Sequence, residues 1–183
     1  MANTACLRRR TLFRGATINA TSQNPLRVPV RHRAGARVCA GIVAGVLAIL
    51  VNTAMLTAAD RFHVVTAHGG LLTLLLKLIG PPTPPMATTW GFRQLFHLLV
   101  GVAMAVVYAV TLGGSRGAVL AKGLVAAAGV WLTNACVVLP LIGQGFAGHR
   151  VLTPLGVSVF AVAHTAFFVL NAWLFELVDS AQE

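Results

Sequence analysis

Three hydrogen-bonding side chains interrupt long apolar stretches of this 183-residue chain: His97, Asn134 and His164. A polar side chain is expensive to bury in hydrocarbon, so such positions are the first place to look for function in a membrane segment. Histidine can also exchange a proton near neutral pH. The three residues therefore predict a polar cluster able to carry protons or a small solute.

Helix geometry brings the three residues of this cluster towards one level in a bilayer. At 1.5 Å per residue, Asn134 lies about 10 Å below one membrane surface and His164 about 13 Å below it. His97 lies about one helical turn below the same surface. All three residues fall in the same half of the bilayer, on three different helices, so they are able to meet.

Three interpretations of this cluster stay open. The first is a channel or transporter path for protons or small solutes. The second is a set of hydrogen bonds between helices that lock the bundle, each worth about 0.6–2 kcal/mol. The third is a b-type haem held by two histidines, for which the depths of His97 and His164 differ by about 6–7 Å. The locking bonds are the simplest interpretation, and on it we expect no cofactor.

Other catalytic groups are scarce in the sequence. No HExxH, GxSxG or P-loop pattern occurs, and the three cysteines have no spacing typical of a metal site or a disulfide framework. The chain has only four carboxylates, which are Asp60, Glu176, Asp179 and Glu183. The sequence therefore predicts neither an enzyme nor a metal centre.

The elements that position the cluster are four apolar stretches long enough to cross a bilayer. Only 10% of the residues are charged, against about 25% in soluble domains. A hydrocarbon core about 30 Å thick needs about twenty residues of helix. We therefore predict an all-α integral membrane four-helix bundle within residues 38–178, with a C-terminal tail at 179–183 and spans at about 38–59, 95–112, 118–142 and 151–177.

The segment 62–80 is also apolar, but Gly69 and Gly70 divide it. About ten apolar residues remain after this pair, and these are too few to cross the bilayer. Four prolines between residues 81 and 85 then stop helix formation. We predict a short re-entrant or interfacial helix between the first and second spans.

Two glycines four residues apart, Gly41 and Gly45, lie near the start of the first span. Small residues at this spacing form a flat strip against which a second helix can pack closely. The strip predicts a helix-packing face, either within the bundle or towards a homo-oligomer or a membrane-complex partner.

The tail at residues 1–37 is basic and contains no acidic residue. Few apolar groups and a high net charge predict disorder. We expect the tail to bind anionic lipid head groups on the cytoplasmic side, through Arg8, Arg9, Arg10, Arg14, Arg31, Arg33 and Arg37. An organelle transit peptide is an alternative. Nucleic-acid binding is only weakly supported, because the basic run lacks a folded or aromatic context, and we expect no nucleic-acid partner.

The distribution of basic residues predicts the orientation of the spans. With the N-terminus inside, the cytoplasmic side carries the tail arginines together with Arg116 and Lys122, and fewer basic residues lie outside. This asymmetry follows the positive-inside rule and places both termini in the cytoplasm. We expect the long Lys122 side chain to extend to the head groups.

Several short motifs resemble the YagU-like family of small bacterial inner-membrane proteins. They include Phe96-His97 at the start of a span, the Lys122-Gly123-Leu124 start of the next and the stretch from Trp131 to Gly143. The last span, with His164 and the Phe175-Glu176 end, completes the resemblance over roughly residues 38–178. It implies four spans in the bacterial inner membrane, no established enzymatic activity and a structural or accessory role in the envelope, with stress or acid tolerance as a possible process. Members carry a histidine near Pro140, where this chain has Asn134.

Overall fold

The computed structural model describes the backbone of residues 30–67 and 69–181, and side chains from residue 34 onward within these ranges. All regular structure in these residues is helical, which confirms the predicted all-α class. Four helices are long and apolar enough to cross a membrane: Ala34–Arg61, Trp90–Gly113, Val119–Leu141 and Pro154–Ser180. The protein is a multi-pass membrane protein.

The first helix, α1 (Val30–Arg61), begins well before the predicted span start at residue 38. Residues 30–37 contain three arginines and two alanines, which favour helix, and no proline. Arg31 and Arg33 therefore belong to a helix, and the predicted disordered tail is wrong from Val30 onward. The head-group contacts predicted for Arg8, Arg9, Arg10 and Arg14, and for the side chains of Arg31 and Arg33, lie outside the described residues.

Threonine caps fix the starts of two helices. The Thr89 hydroxyl accepts the Phe92 N–H at 3.3 Å, so α3 (Trp90–Tyr108) begins five residues before the predicted span start at 95. The Thr153 hydroxyl accepts the Gly156 N–H at 3.1 Å at the start of α6 (Pro154–Ser180). A proline is well tolerated at the first helical position that follows this cap.

The third span is helical throughout but widens near its end. Helix α4 (Val119–Thr133) passes through a π-helical turn at Asn134–Val138 into the short α5 (Leu139–Leu141). Pro140 has no N–H to donate, and its ring crowds the carbonyl four residues earlier, so a wider turn relieves the helix there. The widened turn begins at Asn134, one of the three residues of the predicted cluster.

Helix α2 (Gly70–Ile79) is the short helix predicted between the first two spans. Its ten residues are too few to cross a bilayer. It ends at Gly80, whose φ of +80° is readily adopted only by glycine and whose N–H donates to the Leu76 carbonyl at 3.1 Å. Lys77 Nζ donates to the Leu141 carbonyl at 2.7 Å, which fastens α2 to the end of α5.

Among the described residues, the long helices do not form a closed ring of contacts. Helix α1 packs against both α3 and α6, and α4 packs against α6. In the described residues α3 and α4 have no extensive contact with each other. We call the end of the bundle where α1 begins and α6 ends the termini side, and the opposite end, which carries α2, the α2 side.

The glycine strip of α1 packs against α3 of the same chain. A Cβ placed on Gly41 would lie 2.8 Å from Ala109 Cβ, and one on Gly45 would lie 2.5 Å from Ala105 Cβ. Such distances are too short for packed carbon atoms. The small-residue face therefore brings two helices of one chain together, and it is already covered there.

Candidate functional site

A cavity of about 160 Å³ lies within the bundle on the α2 side. The structure brings all three residues of the predicted cluster to its wall, with His97 on α3, Asn134 in the π-helical turn and His164 on α6. Asn52 of α1 joins them. We call this space the central cavity. Most of its remaining wall is apolar and includes Ile49, Met104, Phe160, Phe167 and Phe168.

A hydrogen bond between two spans in this site joins α1 to α3. His97 Nε2 lies 2.9 Å from Asn52 Oδ1. An amide oxygen only accepts, so His97 Nε2 carries the proton and donates it. Asn52 is 1% exposed, and its Nδ2 is buried without a hydrogen-bond partner in the described part of the chain. Because Asn52 is part of the cavity wall, this buried donor lies next to the cavity.

His164 and Asn134 make their side-chain hydrogen bonds within their own helices. His164 Nδ1 lies 2.9 Å from the Phe160 carbonyl oxygen and donates to it. The neutral ring then presents Nε2 as an acceptor. Asn134 Nδ2 donates to the Val130 carbonyl at 3.0 Å, and its Oδ1 is a second acceptor. For these two residues, no bond to another helix occurs among the described residues, so the predicted locking role fits His97 alone.

The size of the central cavity limits what it can hold. Its volume of about 160 Å³ is close to that of an engineered cavity of about 150 Å³ that binds benzene. A haem is much larger than this space, and His97 Nε2 is already bonded to Asn52 Oδ1. The residues do not fit a haem. They fit a small molecule, or several waters, that accepts from Asn52 and donates to His164 or Asn134.

The termini side of the bundle carries a buried ion pair that the sequence analysis missed. Lys122 is only 8% exposed, pairs with Glu176 and lies 3.4 Å from the Gly113 carbonyl oxygen. The prediction that Lys122 extends to the head groups is therefore wrong. The signal for the pair was available, because the two opposite charges lie at the same end of two spans joined by one loop.

Arg37 also differs from its expected role. Its guanidinium lies against Gly114, in the loop between α3 and α4, so that a Cβ on this glycine would lie 2.5 Å from Arg37 Nη1. Arg37 is half-buried. It packs on the protein's own loop, and its contact with lipid head groups stays a prediction.

Two further polar side chains were not predicted as part of a site. Asn52 is an amide in the middle of an apolar span, and by that signal it should have been grouped with Asn134. Asn171 on α6 is fully buried, and neither of its side-chain polar atoms has a partner in the described residues. Buried amides of this kind are the exceptions that call for explanation. For Asn52, the explanation is its position in the wall of the central cavity.

Comparison with known proteins does not assign this site: no protein-family model, curated protein or solved structure matches the chain. In the described residues, no group of three or more histidine, cysteine, aspartate or glutamate side chains is placed to hold a metal ion. The central cavity is thus interpreted from its own residues.

Proposed function

We propose that this protein is a non-enzymatic membrane protein that binds a small polar solute in the central cavity and passes it through the bundle. The observation that supports this most is that each of the four spans brings at least one polar side chain to one cavity. One of them, Asn52, is buried, and its donor has no partner in the described part of the chain. Leaving such a donor unpaired is unfavourable by about 1–3 kcal/mol, so a bound hydrogen-bond acceptor would be favoured.

The structure supports a gated path rather than an open pore. Between the central cavity and the termini side, the bundle is filled by buried apolar side chains: Ala48, Ala105, Ala127, Phe167 and Phe168. The pair of Lys122 and Glu176 lies beyond this layer. A solute that enters from the α2 side would therefore stop in the cavity until the helices rearrange.

The compartment and the family belong to the same proposal. The arginines before the first span favour an orientation with both termini in the cytoplasm. The resemblance to the YagU-like family supports a bacterial inner membrane, and it would connect solute passage with stress or acid tolerance. On this orientation the central cavity lies in the outer half of the membrane.

Flux through the purified full chain in liposomes tests the proposal. We expect glycerol to enter vesicles at least tenfold faster than the protein-free rate, and His97→Ala combined with His164→Ala to remove most of this increase. The control is His149→Ala, because His149 is exposed in the loop before α6. An unchanged flux in the double variant, or no flux in the wild type, would contradict the proposal.

The second candidate function is that of a structural or accessory membrane component in which polar residues only hold the helices together. The bond of 2.9 Å between His97 and Asn52 favours it. On this account His97→Ala lowers the free energy of unfolding by about 0.6–2 kcal/mol, and the wild type shows no flux. Measuring thermal unfolding and flux on the same preparations separates the two accounts.

A further inference from the structure

A second cavity, of about 170 Å³, adjoins the central cavity on the α2 side. It lies between α2, the 3₁₀ turn Pro85–Thr88 and the start of α3. The two cavities share part of their walls, namely Gly69, Leu71, His97 and Val100. We call the second space the outer chamber. His97 therefore stands at the boundary between the outer chamber and the central cavity.

The outer chamber has one formally charged group in its described wall, the guanidinium of Arg93. No carboxylate lines either cavity in the part of the chain that is described. Arg93 is exposed and has no ion-pair partner among the described residues. An unpaired guanidinium presents several N–H donors in a fixed plane that matches a carboxylate.

The hydroxyl groups of the outer chamber have other partners. Thr73 Oγ1 donates to the Gly69 carbonyl at 3.1 Å, and Thr88 Oγ1 donates to the Pro85 carbonyl at 2.8 Å. Their protons are thus not available to a ligand. Among these three polar side chains, Arg93 alone has donors free for an incoming solute.

The charge around the outer chamber has the same sign as Arg93. The described loops and helix ends on the α2 side carry Arg61, Lys77, Arg93 and Arg150 against the single acid Asp60. A surface of one predominant charge raises the local concentration of ions of the opposite charge. A small cation approaching this side meets only repulsion from the chamber, because no described acid lines it.

We infer that the outer chamber is the entrance to the central cavity, and that Arg93 makes it select small monoanions, carboxylates in particular, over cations. This inference rests on the proposed function. The carboxylate binds Arg93 first and then moves past His97. In the central cavity, we assign the second donor to these oxygens to Asn52 Nδ2, which has no partner among the described residues. The apolar wall limits the solute to about the size of a benzene ring.

Liposome flux of three probes tests this inference on the full chain: lactate as the monoanion, methylammonium as the cation and glycerol as the neutral solute. We compare the wild type with Arg93→Gln, with Arg93→Lys and with Arg150→Gln. Arg150 is the matched control, because it is an exposed arginine on the α2 side that lines neither cavity. Monodisperse elution and equal thermal unfolding show that each variant is folded.

We expect the wild type to pass lactate at least tenfold faster than methylammonium. Arg93→Gln should lower lactate flux about tenfold with glycerol flux unchanged, whereas Arg93→Lys and Arg150→Gln should keep most of the lactate flux. Equal lactate flux in Arg93→Gln and the wild type, or an equal loss in Arg150→Gln, would overturn the inference and leave the proposed function standing if glycerol still passes. If none of the three probes passes, both proposals fail.

Discussion

At the scale of single residues, the two ends of the bundle use polar groups differently. On the α2 side, Asn52, Asn134 and His164 line the central cavity, and each has a donor or acceptor without a partner on another described helix. On the termini side, Lys122 and Glu176 neutralise each other next to the Gly113 carbonyl. Unused hydrogen-bonding groups suit a binding site, whereas a closed ion pair suits a seal.

The ion pair yields an asymmetric prediction for stability. Lys122 is 8% exposed and Glu176 is 36% exposed, so Glu176→Met, which leaves the more buried charge unpaired, should be more harmful than Lys122→Met. For Glu176→Met we expect the free energy of unfolding to fall by about 1–3 kcal/mol. This value lies between those for exposed and buried ion pairs, because solvent partly screens the carboxylate. The double variant should recover part of this loss. Thermal unfolding in detergent measures all three.

The exposed residue Arg116 supplies the control for this series. Its substitution by Gln should change stability by less than about 0.5 kcal/mol. A double variant as unstable as the sum of the two single variants would show that the pair contributes no coupling, and the interpretation of a seal would be wrong.

The polar cluster could be predicted from the sequence, but the contacts of its residues with other helices could not. The levels of His97, Asn134 and His164 follow from helix rise alone, so their approach could be predicted. The bond from His97 to Asn52 and the pair of Lys122 with Glu176 depend on which helices are neighbours around the bundle. A single sequence of similarly apolar helices does not specify that order, and these contacts were therefore missed.

At the scale of elements, α1 and α3 can pack closely because the glycines of α1 have no side chain. Gly45→Ala would place a Cβ 2.5 Å from Ala105 Cβ, so the helices must separate. We expect the free energy of unfolding to fall by about 1–3 kcal/mol, as is typical of an overpacked contact. Ala105→Gly removes the opposing carbon, and the double variant should recover part of the loss. Thermal unfolding of the detergent-solubilised protein checks both.

The control for the glycine series is Gly129 on α4, where an added Cβ would meet nothing within 4 Å. Gly129→Ala should therefore not lower the free energy of unfolding, and the preference of helices for alanine over glycine should raise it by about 0.5–1 kcal/mol. If Gly45→Ala behaved in the same way, close packing at this strip would not be what holds α1 against α3.

The existence of each element could be predicted, but its ends less well. Apolar length identified all four spans, and the glycine pair with the following prolines identified α2. The first residue of α3, Trp90, is determined by the Thr89 cap. The early start of α1 depends on residues 30–37, which contain no proline. Such ends are decided by local hydrogen bonds and propensities, which hydropathy does not report.

At the scale of the whole molecule, the two cavities and the apolar layer form a series. The outer chamber adjoins the central cavity at His97 and Val100. The layer that contains Phe167 and Phe168 closes the central cavity towards the termini side. On the proposed function, this order is that of a transporter held closed on the termini side. Passage would then require the helices around this layer to move, and in the described residues no extensive contact between α3 and α4 opposes such a movement.

The most direct test of this account blocks the path without touching a polar group. Val100 on α3 lines both cavities, whereas Val107 on the same helix is 58% exposed and lines neither. We expect Val100→Phe to lower glycerol flux in liposomes about tenfold, and the matched Val107→Phe to keep it within twofold of the wild type. Equal flux in all three folded proteins would contradict passage through the cavities.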